Sequence, residues 1–113
     1  MRHSGYFTAD WKIAECGQPV IECKIPETVR RMRAEFRKHI AQRVRDCLLY
    51  VIPVDSGPYT GPDHGLIGIF WELKDGRIAA CAEIPTGSPR PPIKVRKKVA
   101  FDFAAMLIET APH

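Results

Sequence analysis

The segment VIPVDSGPYTGPDHG, at positions 51–65, carries the side chains of this sequence that are best suited to chemistry. It supplies carboxylates, a hydroxyl and an imidazole, from Asp55, Asp63, Ser56 and His64. Such groups act as nucleophile, base and orienting acid only when they lie within hydrogen-bond reach of one another. The chain has no nucleophile elbow and no phosphate-cradling glycine loop, and Asp and Ser beside Gly and Pro are ordinary turn residues. We therefore expect a protein that is not an enzyme and has no catalytic residue.

The first half of this segment predicts the end of a helix. Pro53 cannot donate a helical hydrogen bond, and it biases the residue before it away from the α region. Asp55 can accept a bond from the backbone N–H two residues on, and Gly57 can take a positive φ. The remaining residues, PYTGPDHG, are long for an ordinary connection. We predict that loop 53–65 is an interaction arm.

The cysteines and histidines do not indicate a metal site. Four cysteines are scattered without a C-x-x-C pair: Cys16, Cys23, Cys47 and Cys81. A zinc site normally takes ligands in close pairs, and the four histidines show no such spacing. Cys47 falls on a predicted helix and Cys81 in a predicted strand, where a free thiol behaves as a small hydrophobe. We expect mainly buried thiols, no metal and no cofactor; Cys16 and Cys23 flank a predicted turn and are the pair suited to a disulfide in an oxidising setting.

The pattern of apolar residues, together with turn residues, predicts two β-hairpins. Residues 6–14 and 20–25 alternate with period 2 on either side of the turn sequence ECGQP. Residues 66–73 and 77–84 are apolar runs on either side of an Asp-Gly dipeptide at 75–76. This dipeptide is typical of a type I′ hairpin turn, because both central residues of that turn need a positive φ.

Two helices are predicted from apolar residues at helical spacing. The first covers residues 27–51, with the stripe Val29, Met32, Phe36, Ile40, Val44, Leu48 and Val51. The second is C-terminal and ends near Thr110, with Val95, Val99, Phe103, Met106 and Leu107. The prolines of residues 85–92, between the last predicted strand and the second helix, predict a stiff loop. We expect this loop to be a second interaction arm. The expected fold is a single α+β domain, 1–113, whose antiparallel sheet of two hairpins is packed by one long helix and a C-terminal helix.

The predicted long helix alone accounts for an excess positive charge equal to that of the whole chain. The chain has a net charge of +4, and the helix has seven Lys or Arg against three acidic residues. A second basic run extends from Arg90 to Lys98. Phosphate contacts from such surfaces would give salt-dependent binding, whereas the plainer alternative is a solvated face. If the protein binds nucleic acid, the residues expected to face it are Arg30, Arg33, Arg37, Lys38, Lys97 and Lys98.

The order of these features resembles the tail-completion, or head–tail joining, proteins of tailed phages, which are also described as minor tail components. The similarity is carried by AQRVRDCLLYVIPVDSG at 41–57, above all by Pro53, Val54, Asp55 and Gly57. A weaker similarity lies in EIPTGSPRPPI at 83–93, ahead of the final helix. Together the similar segments fall within residues 25–110.

This resemblance implies a structural virion protein, assembled in the host cytoplasm, that forms a homo-oligomeric ring, most often sixfold, in the phage neck. Neighbouring neck or tail-terminator proteins would be its partners, DNA would pass nearby without specific contacts, and no membrane would be involved. The residues expected in subunit or ring contacts are Pro53, Asp55, Gly57, Tyr59, Asp63, His64 and Arg90. Two alternatives remain: a small basic nucleic-acid-binding or regulatory protein that contacts phosphates through helix 27–51, and a small inhibitor or interaction module that binds through its loops.

Overall fold

The computed structural model describes residues 3–54 and 57–109 of the chain. Its elements in chain order are β1 His3–Ile13, β2 Pro19–Cys23, α1 Glu27–Arg30, α2 Ala34–Asp46, a π-helical turn Cys47–Val51 (the π turn), β3 His64–Lys74, β4 Arg77–Glu83 and α3 Ile93–Glu109. The predicted α+β class is confirmed, since the helices pack against an antiparallel sheet. The end predicted for the last helix, Thr110, lies outside the described residues.

The sheet joins the two predicted hairpins through a long pairing of their inner strands. Its order is β2-β1-β3-β4, with every neighbouring pair antiparallel. The turn between β3 and β4 has the predicted type I′ character, because Asp75 and Gly76 have φ values of 54° and 75°. The pairing of β1 with β3 extends from His3 opposite Leu73 to Lys12 opposite His64.

The core lies between one face of the sheet and the helices. The alternation predicted for β1 is confirmed, because Ala9 and Trp11 are buried while Thr8, Asp10 and Lys12 are exposed. The largest fully buried apolar side chains are Trp11, Phe103, Ile40, Leu48, Ile67, Ile69, Leu107, Val29, Val44, Val95 and Val99. Each side chain of this size contributes about 1.5–3 kcal/mol when it leaves water.

Two tryptophan–glycine pairs lie near the two ends of the pairing between the central strands β1 and β3. Trp11 lies directly opposite Gly65, and Trp71 directly opposite Gly5, across the pairing of β1 with β3. A Cβ atom on Gly65 would lie 2.8 Å from Cζ2 of Trp11, and one on Gly5 would lie 2.6 Å from Nε1 of Trp71. Each indole therefore covers the backbone of the glycine across from it.

The helix predicted over residues 27–51 is interrupted between α1 and α2. The N–H of Met32 donates to the carbonyl oxygen of Val29 at 3.1 Å, a tight turn that ends α1. Arg33 is then extended (φ −57°, ψ 147°) and precedes the first residue of α2. The sequence predicts one continuous helix here because Val29, Met32 and Phe36 keep helical spacing across the break.

The interruption is held by Arg37, whose side chain is only 3% exposed. Its guanidinium donates to the carbonyl oxygens of Arg30 and Met32, on the α1 side of the break. Its Nε donates to the carbonyl oxygen of Leu107 at 2.9 Å, near the end of α3. The last carbonyls of a helix have no partner within that helix, so Arg37 satisfies one of them while joining α3 to the break.

The other end of α2 continues into the π turn and stops where the sequence predicts. The N–H of Ile52 donates to the carbonyl oxygen of Cys47 at 2.9 Å, and Ile52 itself is extended, as a residue before proline should be. A π turn advances fewer degrees per residue than an α-helix. Val51 consequently leaves the apolar stripe and is 66% exposed.

Candidate interaction surface

The two predicted interaction arms lie together at one end of the domain. They line a common cleft of about 810 Å³, which we call the loop cleft. Its lining residues are Ile13, Val54, Gly57, Pro58, Tyr59, Thr60, Gly61, Asp63, Pro89, Arg90, Pro91, Pro92, Ile93, Lys94 and Arg96. The sequence predicts both arms but does not predict that they form one surface.

Arg96 fastens the two arms to each other beneath this cleft. It is 1% exposed, and its Nε donates to the carbonyl oxygen of Pro91 at 3.2 Å. Its two terminal nitrogens donate to the carbonyl oxygens of Ile52 at 2.7 Å and Pro53 at 2.6 Å. Hydrogen bonds from a charged donor are stronger than neutral ones, so the guanidinium is well placed to hold three backbone acceptors. In the sequence, Arg96 belongs to the basic run Arg90–Lys98 and gives no sign of this role.

Backbone and hydroxyl contacts fix both arms to the sheet. The N–H of Ile13, at the end of β1, donates to the carbonyl oxygen of Asp63 at 2.7 Å. In the second arm, the N–H of Leu66 donates to the hydroxyl of Ser88 at 2.8 Å, and that hydroxyl donates to the carbonyl oxygen of Leu66 at 3.2 Å. These contacts anchor the loop cleft at the ends of β1 and β3.

Within the first arm, Tyr59 folds back over its own loop. Its hydroxyl donates to the carbonyl oxygen of Pro62, and a Cβ on Gly61 would meet the same ring. Partial burial and the nearby Asp63 carboxylate raise the pKa of Tyr59, so the hydroxyl stays protonated and able to donate. Gly57 has a φ of 96°, as predicted for the turn.

The residues predicted for subunit contacts divide into three groups. Gly57, Tyr59, Asp63 and Arg90 line the loop cleft, and the Pro53 carbonyl accepts from Arg96. Asp55 lies outside the described residues, together with Ser56 and the turn predicted for them. His64 is wrongly included in loop 53–65, because it is the first residue of β3 and pairs with Lys12. The loop therefore ends at Asp63.

The predicted nucleic-acid contacts include one error. Arg37 cannot face a nucleic acid, because it is buried and its guanidinium donates to backbone carbonyls. The other five side chains are exposed: Arg30, Arg33, Lys38, Lys97 and Lys98.

These five basic residues form two separate groups. Arg37 of α2 meets Leu107 of α3, whereas Arg96 of α3 meets Ile52 just after the π turn, so α2 and α3 are antiparallel. The groups near Arg33 and near Lys97 therefore lie at opposite ends of the helix pair. At 1.5 Å of rise per residue, the distance from Arg96 to Leu107 along α3 is about 16 Å.

The face of the sheet away from the helices is a second exposed surface. Tyr6 and Phe70 are direct partners there and are 52% and 41% exposed. The Tyr6 hydroxyl lies over Gly68 and is hydrogen-bonded to Glu83. Partial burial and this carboxylate raise the pKa of Tyr6.

The four cysteines, all within the described residues, are free thiols. Cys16 is exposed and Cys23 is half-buried, and this candidate pair is not joined in the structure. The sulfurs of Cys47 and Cys81 lie 2.9 Å apart. Sequence reasoning places these two residues in different elements and does not bring them together.

Groups able to hold a metal ion and helices able to cross a membrane are both absent from residues 3–54 and 57–109. No group of three or more His, Cys, Asp or Glu side chains in this part of the chain could hold a metal ion. None of the described helices is both long enough and apolar enough to cross a membrane.

Comparison of the chain with protein-family models, with curated proteins and with solved structures finds no match.

Proposed function

We propose that this protein is a structural component of the neck of a tailed phage, where it forms a ring that joins or completes head and tail around the DNA passage. The observation that carries the proposal is the loop cleft. Two arms of unusual length and proline content meet in one surface, and buried Arg96 holds them together. Loops presented by a rigid scaffold are the usual place for binding residues.

The similarity of residues 41–57 to the tail-completion proteins supports the same proposal. Two of the residues that carry this similarity, Val54 and Gly57, line the loop cleft. A ring of identical subunits needs a head-to-tail contact, in which a surface of one subunit meets a different surface of the next. The loop cleft supplies one of these two surfaces, with exposed Arg90 and Asp63 as polar contacts.

Native mass spectrometry of the purified chain, alone and with candidate neck proteins, tests this function. We expect a homo-oligomer of defined size, either by itself or on a partner ring. Arg90→Glu should weaken the oligomer, because it reverses a charge in the cleft. The matched control is Arg43→Glu, an exposed reversal outside the residues that line the cleft. A strict monomer that assembles with no neck protein would exclude the proposal.

A second candidate function is the binding of nucleic acid through the helical layer. It is favoured by the exposure of five basic side chains on α1, α2 and α3 and around the break. Titration of DNA and RNA at two salt concentrations tests it, because phosphate contacts release counterions and weaken as salt rises. Arg33→Glu with Lys38→Glu should then lower the affinity, whereas the Arg90→Glu variant should retain it. An affinity that is unaffected by salt would remove this candidate.

A further inference from the structure

The end of α2 is joined to the edge of the sheet by a close pair of thiols. Cys47 begins the π turn and is buried, and Cys81 lies in the edge strand β4. Their sulfurs are 2.9 Å apart, although the residues are 34 positions apart in the chain. Cys81 also lies 3.4 Å from the carbonyl oxygen of Ala82, to which its thiol donates.

We propose that Cys47 and Cys81 are a modification site, at which a small-molecule disulfide such as oxidised glutathione converts two thiols into an intramolecular disulfide. A protein disulfide is about 2.05 Å long, so the sulfurs need to approach by about 0.9 Å. Exposed Cys16 and half-buried Cys23 have no such neighbouring sulfur among the described residues. The bond would lock the π turn onto β4.

The reaction balances through two thiol–disulfide exchanges. One cysteine thiolate attacks oxidised glutathione, which forms a mixed disulfide and releases one glutathione thiolate. The second cysteine thiolate then attacks the protein sulfur of that mixed disulfide and releases the second glutathione. The protein loses two electrons and two protons, and one glutathione disulfide becomes two thiols.

The reduced pair should persist until an oxidant is supplied. Burial and the adjacent Cys47 thiol raise the pKa of Cys81 to about 11, so Cys81 is protonated at neutral pH. Only the thiolate attacks a disulfide, and exchange is correspondingly slow near neutrality.

The test uses the whole chain with Cys16→Ser, which removes the exposed thiol that would couple two molecules. After oxidised glutathione at pH 8.5, we expect the intact mass to fall by two hydrogen atoms and a non-reducing peptide map to join Cys47 to Cys81. The melting temperature should rise by about 5 °C or more, because the bond closes a long loop in the unfolded chain. Dithiothreitol should reverse both changes.

The single variants Cys47→Ser and Cys81→Ser, in the same background, control for the pairing. Each should end as a glutathione mixed disulfide or as a reduced thiol, with no rise in melting temperature. Retention of glutathione on Cys47 or Cys81 of the Cys16→Ser protein, or a bond from Cys23 to either residue, would overturn the proposed site. A Cys47–Cys81 bond that leaves the melting temperature unchanged would show that the disulfide does not lock the π turn onto β4. None of these outcomes depends on whether the protein forms a ring.

Discussion

The indole of Trp11 lies against the backbone of Gly65, its direct partner in the neighbouring strand. The same arrangement is repeated at the other end of the pairing by Trp71 and Gly5. The two Nε1 atoms are buried and have no hydrogen-bond partner. An unpaired buried donor is costly, so these two rings are held by packing and not by a hydrogen bond from the indole nitrogen.

Gly65→Ala should lower the free energy of unfolding by about 1–3 kcal/mol, because the added methyl would overlap the Trp11 ring. Urea unfolding followed by tryptophan fluorescence measures the loss. The matched control is Ser4→Ala, an exposed position of the same sheet, which should change stability by less than about 0.5 kcal/mol.

Combining Gly65→Ala with Trp11→Phe should cost less than the sum of the two single changes, because the smaller ring makes room for the methyl group. Strict additivity in this double-mutant cycle would show that the two residues do not press on each other.

Arg37→Met should destabilise the protein by about 2–4 kcal/mol, because it leaves the carbonyls of Arg30, Met32 and Leu107 without their donor. Thermal or urea unfolding checks this. The neighbouring exposed Lys38, changed to Met in the same way, should have an effect within about 0.5 kcal/mol. Equal effects at the two positions would show that the hydrogen bonds from Arg37 to the break and to α3 do not stabilise the protein.

Arg96→Met should loosen the loop cleft more than the rest of the fold. Without its guanidinium, the carbonyls of Ile52, Pro53 and Pro91 lose their common donor. Limited proteolysis should cut loop 53–63 faster, and amide hydrogen exchange of the π turn should accelerate. Lys97→Met, at an exposed adjacent position, is the control and should leave both rates unchanged.

Alkylation by iodoacetamide should label Cys16 first, because it is the exposed thiol. The pKa of Cys81 is raised to about 11, so its labelling rate should increase about tenfold per pH unit from pH 7 to 10, as the thiolate fraction grows. Peptide mass spectrometry after short labelling times measures each site. A Cys81 rate that is already level at pH 8 would show that its thiolate is not suppressed.

Stability should also fall at alkaline pH. Burial is the main cause that raises the pKa of both Cys23 and Cys81 from 9.0 to about 11. The folded protein therefore binds these protons more tightly than the unfolded chain. The resulting contribution to the free energy of unfolding is fully present below pH 9. It is lost as the pH rises towards 11. Urea midpoints measured from pH 8 to pH 11, compared with those of Cys23→Ser, should show a smaller decline in the variant.

Short sequence patterns predict the strands, the hairpin turn and the end of the helix, because these depend on neighbouring residues. Strand alternation identified the buried side of β1, and Asp75-Gly76 identified a turn because few dipeptides accept two positive φ angles. Pro53 likewise marked the end of the helix. These positions depend on backbone sterics and on burial of one face, both of which are visible in a short window of sequence.

The rest could not be read from such windows, because it depends on contacts between distant residues. Arg37 reaches a carbonyl 70 positions away, and Arg96 reaches carbonyls more than 40 positions away. A pattern rule places arginine on the surface, since it is seldom buried without partners. The sequence therefore places both arginines on the surface, does not indicate the break in the helix, and predicts the two arms without their common cleft.

The π turn makes the length of this part of the chain as important as its composition. Removing one residue from Cys47–Val51 would restore an ordinary α-helix and rotate Ile52 and Pro53, which follow it directly, by about 100° relative to α2. The carbonyls of Ile52 and Pro53 would then point away from Arg96, and the first arm would leave the cleft. A substitution in this turn changes one side chain and keeps the path of the backbone. A single-residue deletion would change that path and separate the whole first arm from Arg96.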